Sequence, residues 1–110
     1  MTRPAYSFYT DKMWRFFLRR QWRLEHDPLT SDVRSHIDHE NYEICLSVWS
    51  RMTDPERDII RAVYTAHDQD AIKTAVTQCA AQYAMTPEAV FKTAHRLSRN
   101  VAVKKKLVAE

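Results

Sequence analysis

Apolar side chains return along most of this chain at intervals of three and four positions, the spacing that lines one face of an α-helix. The first such stretch opens at Thr10-Asp11, an N-cap pattern with an acid in the first turn. It places Met13, Trp14, Phe17, Leu18 and Trp22 near one face as far as about Glu25. Arg15, Arg19, Arg20 and Arg23 crowd the remaining faces. His26-Asp27-Pro28 ends it, because the proline ring disfavours a helical Asp27. Thr30, Ser31 and Asp32 offer a second start, ahead of a segment with Val33, Ile37, Ile44, Val48 and Met52 near one face and Tyr42, Leu46 and Trp49 adjoining it. A long helix is predicted, with an interruption near Asp38-His39-Glu40 left open.

The sharpest boundary is Thr53-Asp54-Pro55-Glu56, a capping box with an acid and a proline in the first turn. The helix it opens runs to about Ala66, burying Ile59, Ile60 and Val63 with Tyr64 at the edge. After the polar link His67 to Asp70, Asp70 caps a helix carrying Ile72, Val76, Cys79, Ala80 and Tyr83 inward. Thr86-Pro87-Glu88 repeats the cap logic almost at once, and Val90, Ala94, Leu97 and Val101 line the helix that follows. The tail VKKKLVAE reads as its frayed end.

Helices joined by so short a turn must cross sharply. Ala80 is the small residue at the crossing, Met85 fills the turn, and Val90 and Leu97 pin the pair, which is the arrangement of a helix-turn-helix over about 70–101. An ordinary αα-hairpin is the alternative. Such turns usually contain glycine and this one has Ala84, so the turn must hold a strained φ or adopt another geometry. The fold class expected is all-α, a small bundle of about five helices. Residues 1–29 form a basic aromatic helix or arm, and residues 30–110 the helical domain.

Composition narrows this picture. A chain of 110 residues, 45% hydrophobic and 28% charged, is sized and balanced for one core. The absence of glycine weighs against a β-rich fold, which needs positive φ in its hairpins. Cys45 and Cys79 fall at apolar helical positions and read as reduced core residues. No apolar run is long enough to span a bilayer, and the N-terminus lacks the order of a secretory signal, so no membrane association and a cytoplasmic location are expected. The net charge of +3 is segregated: residues 1–25 and 86–110 each carry six bases against two acids, and residues 26–85 carry five bases against ten acids. Two basic ends around an acidic centre suit a polyanionic partner or, equally, a solvated surface.

The stretch MTDPERDIIRAVY resembles the opening helix of sigma-factor region 4 and of the small phage-type transcription regulators built on it, and CAAQYAMTPEAV resembles their helix-turn-helix. The likeness covers roughly residues 52–101. It implies a non-enzymatic DNA-binding regulator that meets DNA through the helix after Thr86, alongside RNA polymerase. The chain departs from that pattern in two ways. Tyr64 to Cys79 is a longer interval than the family leads one to expect, and the outward face offers Glu88, Ala89, Phe91 and Lys92 where base-reading members carry more polar or basic residues.

The candidate DNA-binding residues are Thr86, Pro87, Glu88, Phe91, Lys92, His95, Arg96 and Arg99. Lys92, His95, Arg96 and Arg99 share one side and can approach phosphates, and Lys104 to Lys106 can extend that contact. Phe91 is placed either against a thymine methyl or in the core. The arginine- and tryptophan-rich first helix suits nucleic acid, an anionic membrane surface, a partner helix in a homodimer, or simply this domain's own core. His36 and His39, with Asp32 and Glu40 nearby, lack a third metal ligand of known proximity and read as surface residues. No nucleophile-base motif and no glycine-rich phosphate loop is present, so neither catalysis nor a cofactor is expected.

Overall fold

The computed structural model describes residues 4–26 and 35–108, and among them it contains five helices and no strand. In chain order they are α1 (Tyr6–His26), α2 (His36–Trp49), α3 (Asp54–Tyr64), α4 (Gln69–Gln82) and α5 (Pro87–Lys105). The all-α expectation holds. All four other helices pack against α5, and α1 also touches α2 and α3.

Local chemistry sets most of the boundaries. At α3 the capping box forms in full: Thr53 Oγ1 accepts from Glu56 N–H at 3.3 Å, and Glu56 Oε1 accepts from Thr53 N–H at 2.9 Å. At α5, Thr86 Oγ1 accepts from Ala89 N–H at 3.1 Å with Pro87 at the first turn. The turn between α4 and α5 resolves the missing glycine by holding Ala84 at φ 53°. Met85 N–H reaches Ala80 O at 2.9 Å and Ala84 N–H faces Ala81 O at 3.5 Å, a Schellman closure made with alanine. A left-handed alanine costs on the order of 1–2 kcal/mol, offset by the carbonyls it satisfies.

Several expectations need correction. α1 starts at Tyr6, not at Thr10, because Ser7 bonds the Pro4 carbonyl through both its N–H (3.0 Å) and its hydroxyl (2.7 Å) and begins the helix a turn earlier. Thr10 and Asp11 are therefore buried inside it, and Thr10 Oγ1 donates to Ser7 O. The break at Asp27-Pro28, the start at Thr30 to Asp32 and Val33 lie outside the described residues. Ser35 caps α2, which continues through Asp38-His39-Glu40, and Ile37 points to solvent at 57% exposure. Asp68, not Asp70, caps α4, accepting from Ala71 N–H at 2.7 Å. Rather than fraying, α5 closes at a left-handed Lys106, with Leu107 N–H on Ala102 O.

All five helices contribute to one core. Trp14 and Phe17 from the basic N-terminal segment are fully buried, edge to face at 5.8 Å, with Trp49 and Tyr64 against Trp14 and Tyr42 against Phe17. Side chains of this kind each contribute about 1.5–3 kcal/mol by leaving water. Tyr64 and Val63 exchange their expected places: Tyr64 is buried with its hydroxyl 2.8 Å from Ser98 Oγ, and Val63 is half-buried. Arg57 ties α3 to the end of α2, donating from Nε and Nη2 to the Trp49 carbonyl at 3.1 and 3.0 Å, where a cation also suits the helix dipole.

Candidate nucleic-acid interface

Everything proposed as a contact residue lies on α5 or its cap, so the position of α5 fixes the site. Its inward stripe of Val90, Ala94, Leu97, Ser98, Val101 and Ala102 is buried, which leaves the opposite face to solvent. Glu88, Lys92, His95, Arg96 and Arg99 are exposed there, at helical spacing along one side. Phe91 is 46% exposed at the edge of that face and so is not a core residue.

The face is flanked by two depressions. On one side Phe91 and His95 line a cleft of about 420 Å³ whose other walls carry Asp11, Arg15, Gln69 and Ile72, and the His95 ring lies 6.3 Å from that of Tyr6. On the other side Arg96 and Arg99 border a groove of about 480 Å³ that also collects Arg51, Asn100 and Lys104 over a floor containing Val48 and Met52. Arg51 and Asn100 were not found from the sequence. Arg51 sits at the junction of α2 and α3, and only the packing of α2 on α5 brings it near Arg99. The one available signal was a base two residues before the Thr53 helix cap.

Arg96 and Lys105 of α5 pair with carboxylates of other helices. Arg96 Nη2 donates to Glu56 Oε2, although the arginine side chain remains 58% exposed. Lys105 bonds Glu40 at 3.2 Å and is only 13% exposed, so it extends the basic face less than the sequence run suggests. Lys104 is exposed on the groove rim. The Thr53 backbone N–H, then the Arg96 guanidinium and the Thr53 hydroxyl, hold the Glu56 carboxyl below its usual range. Glu56 is therefore charged at neutral pH and lowers the positive potential of the groove it borders.

A polar brace fixes the turn that aims α5. Tyr83 OH donates to Asp58 Oδ2, and Arg61 donates to Asp58 Oδ1 at 3.1 Å. The Asp58 hydrogen bond is the main reason the Tyr83 phenol is pushed up to about 12. Both cysteines are free and buried. Burial pushes the Cys45 thiol up to about 12, and burial followed by Asp58 raises Cys79, so neither holds the thiolate a nucleophile requires. His36 and His39 are exposed, and no cluster of three metal-ligating side chains occurs among the described residues. Among the same residues no helix is long and apolar enough to cross a membrane.

Comparison with protein-family models, with curated proteins and with solved structures finds no match for this chain.

Proposed function

We propose that this protein is a small, non-enzymatic DNA-binding regulator of the kind resembling sigma-factor region 4. In this reading α4, the Ala84 turn and α5 serve as a helix-turn-helix, and the chain works in the cytoplasm of a phage host or carrier of a mobile element. The observation that carries the reading is the alignment of Lys92, His95, Arg96 and Arg99 on the exposed side of a capped helix whose opposite side is buried. Cations on one ridge, with Arg51 and Lys104 beside them, follow a phosphate backbone. Glu88 at the helix start disfavours a phosphate there, which favours gripping DNA along the middle of α5 over reading it from the first turn. RNA polymerase and a second copy of the chain are the protein partners the reading allows.

Fluorescence anisotropy with mixed-sequence duplex DNA at about 50 mM salt tests it. Each phosphate contact adds roughly 0.9 to the slope of log affinity against log salt. Lys92→Glu combined with Arg99→Glu is expected to abolish binding, and Lys92→Ala to lower the slope by about one. Absence of binding by the unmodified protein at low salt ends this reading.

A second reading, a helical interaction module, is favoured by one observation: Phe91 stands 46% exposed beside Glu88, on a face where Arg96 is already held by Glu56. It predicts a concentration-dependent dimer in sizing experiments that Phe91→Glu dissolves.

A further inference from the structure

The third tryptophan of the chain does not enter the core. Trp14 and Trp49 are buried, whereas Trp22 is 58% exposed although it lies on the same helix as Trp14. Its indole is stacked on the His26 ring, with centroids 4.4 Å apart and planes within 9°, and the His26 Nδ1 lies 2.8 Å from the Trp22 carbonyl. An exposed tryptophan fixed in one orientation is a flat apolar platform with little rotamer freedom left to lose on binding.

That platform borders a groove of about 410 Å³ between α1 and α3. From α1, Arg15, Leu18, Arg19 and Trp22 recur at intervals of three and one along a single helical stripe. From α3, Arg61, Tyr64 and Thr65 form the opposite wall. Arg15 lies over the Tyr64 ring at 6.0 Å and Arg61 over the Trp49 ring at 5.0 Å, which holds both guanidinium groups in place at the groove wall. The one acid on the lining is Glu25, and Asp58, which neutralises part of Arg61, is shared with the Tyr83 hydroxyl.

We propose that this groove binds single-stranded nucleic acid, with an unpaired base stacked on Trp22 and the adjoining phosphates against Arg15, Arg19 and Arg61. The two halves of the site match the two halves of a nucleotide: an aromatic plane for the base and guanidinium groups for the phosphate. A duplex offers no open base face to the indole, so this site is distinct from the ridge on α5 and does not depend on it. An acidic peptide would satisfy the arginines and leave the platform unused. A membrane surface would need a broad apolar face, whereas Met13, Trp14 and Phe17 of α1 face the core and the exposed Phe8, Trp22 and Leu24 are scattered along the helix.

The test is intrinsic fluorescence, because Trp22 is the tryptophan in contact with solvent. Titrating the full chain with a short thymidine oligonucleotide at about 50 mM salt is expected to quench emission. For variants that lack this indole, binding is read from the anisotropy of a fluorescein-labelled oligonucleotide: Trp22→Ala should weaken binding about tenfold, within the range known for base stacking, while Trp22→Phe should recover most of it. Arg19→Ala is expected to lower the salt slope by about 0.7. The loss on Trp22→Ala is expected to be the same in the background of Lys92→Glu with Arg99→Glu on α5, which separates this groove from that ridge. Circular dichroism melts show whether each variant is folded, and a substitution at so exposed a position should leave the melt nearly unchanged. The proposal is overturned if the oligonucleotide does not bind or if Trp22→Ala binds it equally. It is also overturned if poly-glutamate or anionic phosphatidylserine vesicles quench Trp22 as strongly at equal charge, or if emission shifts with protein concentration alone, which would mark a self-contact.

Discussion

The two basic ends of the chain become two differently employed helices. In α1, Arg15 lies over the Tyr64 ring and Arg20 over the Tyr42 ring, and the helix feeds Met13, Trp14 and Phe17 into the core. In α5, cations are tied to carboxylates from other helices, Arg96 to Glu56 and Lys105 to Glu40, and the remaining basic side chains stand along an outer ridge. Equal formal charge therefore does not mean equal potential. Ion pairs reduce what α5 presents and are screened by salt, whereas a ring leaves a guanidinium's charge intact. Position within the fold, and not the count of bases, decides which end can grip a polyanion and how.

The comparison breaks most visibly in the core. Trp14→Ala on α1 should cost about 3–5 kcal/mol in urea unfolding, because the indole is fully buried among Phe17, Trp49 and Tyr64. Phe91→Ala on α5 should stay within about 0.5 kcal/mol, as its ring is half in solvent. If the two losses were similar, Phe91 would carry packing that its exposure does not show.

A smaller effect separates the ion pairs from the ring contacts. Glu56→Ala removes the carboxylate that accepts the Thr53 N–H in the α3 capping box and the partner of Arg96 together, and should cost about 1–2 kcal/mol. Because the folded carboxyl titrates below its unfolded value of about 4.3, its contribution is fully present above that pH and is lost as the pH falls through the lower folded value. Melting temperatures taken down an acid series should converge for the two proteins, while Arg15→Ala on α1 should keep a constant offset across the same range.

The smallest change concerns how α5 is aimed. Ala84→Gly should raise stability by about 0.5–1 kcal/mol, the relief of a left-handed alanine less the added freedom of glycine in the unfolded chain. A loss on that substitution would mean that the Ala84 methyl group packs usefully.

The sequence alone determined the features written in short-range chemistry. Thr53 with Glu56, Thr86 with Pro87, and the left-handed strain required at Ala84 are set within a few residues, so the boundaries around α3 and the entry to α5 were legible, as were the all-helical class and the inward stripe of α5. Where a start was misplaced, at Thr10 for α1 and at Asp70 for α4, one side-chain hydrogen bond, from the Ser7 hydroxyl to the Pro4 carbonyl and from the Ala71 N–H to the Asp68 carboxylate, marks the true start, and a pattern could not rank them. Tertiary structure alone decided which of two similar tryptophans on α1 is core and which is platform. It also turned Tyr64 inward over Val63, spent Arg96 on Glu56, and brought Arg51 beside Arg99. Those outcomes depend on surfaces supplied by residues tens of positions away. A helical period names the stripe, but the neighbour that covers part of it is chosen only when the helices meet.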